Sequence, residues 1–293
     1  MFTRVTSLSM TRSAQYNLQN GLAALSKLQV KATSKNAITV PSDDPAGTGK
    51  ALQVTSQQAA TTQYGRNIDD GASWLTTIDT TLSSTSDLMR QVRDLTVQGA
   101  NDGSLSTSAK ASIVTSLQSL RDELLKQANT SYQGRNVFAG NSDAGAAFNP
   151  DLSYNGDGST VQRRVDANTT VRVDADGSAI YGTGATSVFA LVDNIVSDLQ
   201  NGTNVGPRLT EIDQRMSAIT AQQATIGTTE TQLDRAKVTN QNSALDLETQ
   251  RSSIQGIDLA SVILDLQSQQ TTYQASLALT AKVLQPTLMD FLR

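Results

Sequence analysis

The sequence predicts a mainly α-helical protein: an elongated helical rod with paired terminal helices and a coiled-coil-like bundle, plus a small β-rich inserted domain. First, apolar residues recur at steps of three and four toward both ends of the 293-residue chain, which is the spacing of one helix face. Second, only 38% of the residues are hydrophobic and 4% are aromatic, as in helical rods with a narrow apolar seam. Third, a central stretch, about 132 to 187, is rich in Gly, Asn, Asp, Thr and Val.

Three helices are predicted in the N-terminal half. The first covers about residues 8 to 30, where Leu18, Leu22 and Leu25 stand in a polar background. The second begins near Ala46 and ends in the segment GANDGS, and Ser106 or Thr107 opens the third. The apolar seams of the second and third helices consist of Ile68, Leu75, Ile78, Leu82, Met89 and Val92, then Ile113, Leu117, Leu120 and Leu124.

The central stretch indicates β structure because polar and apolar residues alternate in TVQRRVD and in TTVRVDADGSAIYG. Turns are predicted at the pairs Asn155-Gly156, Asp157-Gly158 and Asp176-Gly177, whose residue types accept left-handed backbone angles.

The C-terminal half is predicted to be helical again. One helix runs from Phe189 to Leu199, and a long helix follows Pro207 in heptad register until Gly256 breaks it. The last helix carries an apolar stripe at steps of three and four, made by Leu259, Ile263, Leu266, Tyr273, Leu277, Leu284 and Phe291.

This order of segments predicts three domains. Residues 1–40 and 256–293 form a terminal coiled-coil assembly domain, 41–145 and 185–255 a helical bundle, and 146–184 a small, removable β-rich outer domain. Two helices alone cannot bury both sides of their stripes, and each fully buried Leu or Ile is worth about 1.5–3 kcal/mol. The terminal helices are therefore expected to need further partners.

Composition excludes several classes of function. The chain has no Cys and no His, so disulfides, thiolate chemistry and the commonest metal ligand are missing. The net charge is −4 without any Lys/Arg run, which argues against nucleic acid and anionic membranes as partners. The N-terminus lacks the apolar core of a secretory signal peptide, and no stretch of about 20 apolar residues occurs.

The segment PSDDPAGTGKALQ, residues 41–53, resembles the end of a phosphate-binding loop. That loop requires Ser or Thr after its Lys and a Gly five residues before its second Gly, but Ala51 and Asp44 occupy these positions. We therefore predict a Pro-Gly turn in which Ser42, Asp43 or Asp44 caps the following helix.

A second segment nearly fits a calcium loop, with Asp151, Ser153, Asn155 and Gly156 at positions 1, 3, 5 and 6. Gln162 stands at position 12, where calcium loops need a bidentate Glu. A turn built on Asn and Asp side chains explains the segment better, and no metal or cofactor is expected.

Other candidate residues also favour structural roles. Adjacent carboxylates, as in Asp69-Asp70 and Asp122-Glu123, point to different helix faces and are expected to be solvated. Trp74 and Tyr273 are expected to pack against neighbouring helices rather than to stack on a ligand.

Several segments of the chain resemble the flagellin superfamily. These are PSDDPAG, YGRNIDDGASWLTTIDTTLSS, MRQVRDLTVQGAN and the C-terminal LASVILDLQSQQTTYQASLALTAKVLQPTLMDFLR. Asp43, Asp44, Pro45, Ala46 and Gly47 stand where the superfamily has its N-terminal turn motif. RNIDDGASWL, ANTSYQGRNVFAGN, YNGDGSTVQRRV and the ending LMDFLR are most similar to its hook-filament junction family, the type 3 hook-associated proteins.

The resemblance implies a structural, non-enzymatic role in the bacterial flagellum. It implies type III export, a place outside the cell between hook-associated protein 1 and the flagellin filament, contacts with copies of the same chain, and a cytosolic export chaperone at the C-terminal region. Its assembly interface would comprise Leu18, Leu22, Leu25, Leu259, Ile263, Leu266, Tyr273, Leu277, Leu284 and Phe291. Arg90 and Gln91 are exchanged relative to the order common in flagellins, so flagellin's receptor recognition is not carried over.

Three further functions remain open at this point. The chain could be a flagellin filament subunit, which would polymerise indefinitely instead of stopping after one layer. It could also be a secreted enzyme on a coiled-coil scaffold or a generic secreted coiled-coil adaptor. The sequence shows no convergent polar cluster of the kind that an enzyme would need.

Overall fold

The computed structural model describes residues 7–101 and 106–284. Within these ranges the helices are α1 (Ser7–Ser34), α2 (Pro45–Ala100), α3 (Thr107–Ala128), α4 (Gly177–Tyr181), α5 (Val188–Gln200), α6 (Arg208–Gln255) and α7 (Leu259–Leu284). The short strands are β1 (Ser131–Tyr132), β2 (Arg135–Asn136), β3 (Gln162–Arg164) and β4 (Thr170–Arg172). The predicted class, mainly α with a small β part, is confirmed.

The chain divides into two compact units. The first consists of Met1–Ala60 and Ala244–Arg293, and the second of Thr61–Ser243. Helices α2 and α6 contribute residues to both units. The predicted three-domain division draws its boundaries elsewhere.

The second unit is built on an antiparallel pairing of α2 and α6. Arg93 Nε lies 2.8 Å from Asp213 Oδ1, whereas Lys237 Nζ lies 2.9 Å from Asp69 Oδ1. On α6 the buried side chains Ile212, Ile219, Ile226 and Leu233 recur every seven residues. On α2 the predicted seam from Ile68 to Val92 is also buried, so heptad spacing identified both core faces.

Helices α3 and α5 complete this core. Ser106 caps α3 by accepting a hydrogen bond from Ala109 N at 3.2 Å, as the sequence predicted. Ile113, Leu117 and Leu124 of α3 are buried, whereas Leu120 is only partly buried. Helix α5 packs against α3 with most of its apolar side chains buried.

The central stretch differs from the predicted run of strands. The hairpin β3–β4 pairs Arg163 with Val171, and its turn lies at residues 165–169 rather than at the predicted Gly pairs. Asp176-Gly177 begins helix α4, because the Asp176 carboxylate accepts from Ser178 N at 2.9 Å and so caps a helix. Asn155-Gly156 and Asp157-Gly158 lie in irregular backbone.

Side chains of the central stretch enter the same core as the helices around it. The Phe148 ring meets Tyr181 at 5.6 Å and Phe189 of α5 at 5.3 Å between centroids. The Tyr181 hydroxyl lies 2.9 Å from Thr85 Oγ1 of α2 in a buried hydrogen bond. The pKa of Tyr181 is raised because burial disfavours the phenolate. The stretch is therefore part of the core of the second unit.

Candidate assembly surface

The turn between α1 and α2 is fixed by two aspartates with different roles. Asp43 Oδ2 accepts from Thr39 N at 3.1 Å, Thr39 Oγ1 at 2.8 Å and Val40 N at 3.3 Å. Its other oxygen lies 2.6 Å from Nζ of Lys27, which belongs to the C-terminal half of α1. The Lys27 ammonium, followed by the Thr39 and Val40 donors, holds the pKa of Asp43 well below its usual range.

Asp44 caps helix α2. Its Oδ1 accepts from Gly47 N at 2.9 Å, and Pro45 occupies the first helical position, where a missing N–H costs nothing. A Cβ added to Gly47 would collide with Asp44 Oδ2 and would lie 2.7 Å from Ile38 Cδ1. The predicted capping turn is thus confirmed, while Ala46 is exposed.

This turn also pairs with the break between α6 and α7. Ala37 N donates to Gln255 O at 2.7 Å, and Asn36 forms an isolated antiparallel bridge with Gly256. Asp258 begins the next helix, since its Oδ1 accepts from Ala260 N at 3.0 Å. The segment after α1 and the break before α7 therefore meet at one hydrogen-bonded corner in the first unit.

Helices α1 and α7 pack along a narrow seam. Tyr273 Cδ2 would lie 3.3 Å from a Cβ on Gly21, and Gln269 Nε2 donates to Gly21 O at 3.4 Å. Leu266 lies on the face of α7 that carries these two residues and is half-buried. On α1 the half-buried positions continue at steps of three and four, namely Ala14, Leu18, Gly21, Leu25 and Leu28.

A second set of apolar side chains on the same two helices is exposed to solvent. We call it the terminal apolar surface, and it consists of Met10, Tyr16, Leu22 and Val30 of α1 with Leu259, Ile263, Leu264, Leu277 and Leu279 of α7.

The predicted interface residues are thus divided between two faces. Leu18, Leu25, Leu266 and Tyr273 lie on the half-buried seam, whereas Leu22, Leu259, Ile263 and Leu277 belong to the terminal apolar surface. The side chain of Leu284 and all of Phe291 lie outside the described residues. Sequence reasoning missed Leu264 and Leu279, each 65% exposed, because at about 100° per residue both lie well away from the predicted stripe, toward the opposite face of α7.

The other candidate sites have structural explanations. Asp151 Oδ1 accepts from Ser153 N at 3.0 Å and from Ser153 Oγ at 2.6 Å, which is the predicted turn of polar side chains. Gln162 belongs to strand β3. In the part of the chain that the structure describes, His, Cys, Asp and Glu side chains form no group of three that could hold a metal.

The remaining candidates are Trp74 and the adjacent carboxylates Asp69 and Asp70, and only the carboxylates differ from expectation. Trp74 is buried and meets Tyr132 edge to face at 5.6 Å, as a packing role predicts. Asp70, however, pairs with Arg163 at 2.7 Å and Asp69 with Lys237. This carboxylate pair is therefore an anchor for two other elements and not a purely solvated face. Among the described helices, none has the length and apolar character needed to cross a membrane.

Two protein-family models match this chain. The family model for the bacterial flagellin N-terminal helical region matches residues 5–143, and that for the C-terminal helical region matches residues 209–292. Together the two ranges cover more than half of the chain.

Individual proteins agree with this match. Flagellar hook-associated protein 3 of Salmonella typhimurium is 26% identical over 93% of this chain and 94% of its own length. Flagellin of Bacillus subtilis is 24% identical over 90% of this chain and 91% of its own. The crystal structure of Bacillus cereus FlgL superposes with a TM-score of 0.60 at 22% identity, covering 68% of this chain and 99% of that one.

Proposed function

Because this chain belongs to the flagellin superfamily and is a structural protein of the bacterial flagellum of the hook-filament junction type, we propose that its terminal apolar surface is the assembly interface of the junction layer. The contact would be made on one side with hook-associated protein 1, on the other with flagellin, and laterally with copies of the same chain. Before export, a cytosolic chaperone would cover the C-terminal region, and the assembled subunit would lie outside the cell.

One observation carries this proposal. Among the described residues, every large hydrophobic side chain that is exposed lies in the first unit except Val97 and Val238. Of the side chains described in that unit, only Ala51 and Val54 belong to the buried hydrophobic ones. The first unit thus exposes apolar side chains that it cannot bury by itself, and such concentrations mark interaction sites.

The energetics favour burial against neighbouring subunits. Full burial of one Leu or Ile contributes about 1.5–3 kcal/mol, and side chains such as Leu264 are still two-thirds exposed. A neighbour that covers several of them would offset the entropy cost of ordering two helices and of association. The helix pair would gain most of its stability on assembly.

A filament role is the second candidate, because flagellin of Bacillus subtilis matches almost as much of the chain as the hook-associated protein does. A filament subunit would polymerise on itself without limit, whereas a junction subunit would stop after one layer. A seeded assembly assay on isolated hooks separates the two, with the length of added material as its measurement.

The decisive experiment is a deletion strain that carries plasmid-borne variants. Loss of the chain should leave hooks intact but release flagellin monomer into the medium, and the wild-type chain should restore filaments. The Leu264→Asp chain should still be exported, but the strain that carries it should release flagellin monomer and form no filaments, as the deletion strain does. Val238→Asp is the matched control, because Val238 is 56% exposed on α6 in the second unit. Normal filaments with Leu264→Asp, Leu279→Asp and their combination would contradict the proposal.

A further inference from the structure

The sequence contains three Asn-Gly pairs, at residues 20–21, 155–156 and 201–202. In such a pair the amide nitrogen of Gly can attack the side-chain carbonyl carbon of Asn, because Gly has no Cβ that obstructs the approach. A folded chain permits this reaction only where solvent reaches the Gly amide, the Asn side chain is loosely held and the backbone can open locally. The three pairs differ in these conditions.

The pair Asn201-Gly202 lies at the C-terminal end of helix α5. Asn201 is the C-cap, and Gly202 follows with a φ of 69°. Thr203 N donates to Asp198 O at 2.8 Å, whereas Gly202 N donates to Leu199 O at 3.4 Å. The longer and weaker bond therefore holds the nitrogen that would attack. Helix ends also open at a lower free-energy cost than helix interiors.

Solvent reaches both residues of this pair. Asn201 and Gly202 are exposed, and no atom of the described residues lies within 4 Å of the position that a Cβ on Gly202 would take. Asn201 Nδ2 donates to Ser197 Oγ at 3.3 Å on the protein surface. The side-chain nitrogen that must leave as ammonia is thus held by a long, solvated hydrogen bond.

The pair Asn155-Gly156 is protected on both counts. Asn155 Nδ2 donates to Ala146 O at 3.1 Å and to Asn149 Oδ1 at 3.0 Å, and Asn155 Oδ1 accepts from Asn149 Nδ2 at 3.1 Å. The Tyr154 ring occupies the space where a Cβ on Gly156 would stand. The Asn side chain is therefore locked, and an aromatic ring covers the Gly residue.

The pair Asn20-Gly21 lies in the interior of helix α1. The amide of Gly21 belongs to the helical hydrogen-bond ladder, and Tyr273 of α7 packs against this residue. Attack on Asn20 would require several turns of the helix to open.

We propose that Asn201 is a site of spontaneous deamidation, at which the folded chain acquires aspartate or isoaspartate. Hydroxide takes the proton of Gly202 N, and this nitrogen attacks Cγ of Asn201. The new N–Cγ bond forms, the Cγ–Nδ2 bond breaks, and the side-chain nitrogen leaves as ammonia. Water then opens the five-membered succinimide ring at either of its two carbonyl groups. The inference goes beyond the proposed function and does not depend on it.

The reaction changes the connection between α5 and α6. Its product carries a negative charge at the C-terminal end of α5, three residues after Asp198, where the helix dipole disfavours an anion. Isoaspartate also adds a methylene group to the main chain next to the amides that close the helix. Asp198 pairs with Arg208 of α6 at 2.9 Å. Ageing should therefore loosen this connection, which hydrogen exchange of the Thr203 amide measures.

The test follows the full chain as it ages. The purified chain is incubated in mildly alkaline buffer, both folded and in concentrated urea, and samples are digested and analysed by tandem mass spectrometry. In the folded chain Asn201 should convert at least about tenfold faster than Asn155. In urea, where the structural differences vanish, the two rates should agree within about threefold. The rate at Asn201 should rise with pH, because the attacking nitrogen must first lose its proton.

Asn201→Gln is the matched control, because Gln would have to close a six-membered ring and reacts far more slowly. Labelling of the aged, folded chain with an isoaspartyl methyltransferase should fall at least about fivefold in this variant. Conversion of Asn155 at the rate of Asn201 would overturn the inference, as would an Asn201 that reacts in urea but not in the folded chain. Undiminished labelling of Asn201→Gln would also overturn it, because the isoaspartate would then arise elsewhere.

Discussion

The residues of the DDPAG motif, 43–47, have different structural roles, and the sequence predicted only some of these roles. The rules for helix caps identified the turn, and Asp44 does cap α2. They did not reveal that Asp43 bonds to Lys27 of α1, because that contact depends on how two helices meet at the corner. The motif therefore combines a local cap with a tertiary anchor.

Gly47→Ala should destabilise the corner by about 1–3 kcal/mol, which is the usual cost of inserting a methyl group into a filled site. The new Cβ would collide with the capping carboxylate of Asp44 and press on Ile38. Hydrogen exchange of amides in residues 36–50 measures the loss. Gly49→Ala is the control, since nothing lies within 4 Å of its Cβ position, and it should stabilise by about 0.4–1 kcal/mol. Equal protection in both variants would refute this account of the motif.

The corner should also resist acid until the pH falls below the ordinary carboxyl range. Folding lowers the pKa of Asp43 from its usual 3.8, so the stabilisation is present above 3.8 and is lost as the pH falls through the folded pKa. A carbon-detected NMR titration of Asp43 should therefore find a midpoint below 3.8. Asp43→Asn should weaken protection of the Thr39 and Val40 amides at pH 7. A normal Asp43 midpoint would show that the Lys27 and Thr39 contacts do not persist in solution.

At the level of helices, Pro and Gly signals predicted the boundaries well, whereas apolar spacing predicted the buried faces of α2 and α6 but not how the stripe of α7 is divided. Helix α6 begins and ends at Arg208 and Gln255, next to the predicted Pro207 and Gly256. On α7 one predicted stripe became two faces, because a narrow seam against α1 takes only part of a broad apolar stripe. Which side chains meet the partner helix depends on the close approach of α7 to Gly21, which periodicity alone does not give.

This division predicts different defects for two neighbouring leucines. Leu266→Asp puts a carboxylate on the α1–α7 seam, so it should unpair these helices and abolish assembly. Leu264→Asp should leave the pair intact and abolish only assembly. Amide protection in α1 measures pairing, and flagellin released into the medium measures assembly. The second unit contains neither residue, so its thermal unfolding should be unchanged in both variants. Normal motility with Leu266→Asp would show that the seam is not required.

For the molecule as a whole, the order of elements could be predicted from the sequence, but the role of the central stretch could not. Gly, Asn and Asp turns suggested a removable outer module, since local patterns reveal turns but not the distant side chains on which a segment packs. In the structure Phe148 and Tyr181 pack against Phe189, and Tyr181 bonds to Thr85 of α2. Residues 146–184 therefore contribute to a core that they share with helices α2 and α5.

Replacing residues 146–184 with a short Gly/Ser linker should consequently unfold the second unit instead of leaving assembly intact. The deletion removes Phe148, Val173 and Tyr181, all with no more than 1% of their surface exposed, and leaves Phe189 and Thr85 facing a void. Loss of each large aromatic from a core costs about 3–5 kcal/mol, so the sum is comparable to the roughly 5–15 kcal/mol that typically holds a domain folded. Near-ultraviolet circular dichroism and urea unfolding measure this loss. As a control, Asp166–Asn168 in the exposed β3–β4 turn is replaced by Asn-Gly, which should keep the hairpin and the unfolding midpoint. A deletion variant that unfolds cooperatively at the wild-type midpoint would show that the helices form their core without the central stretch.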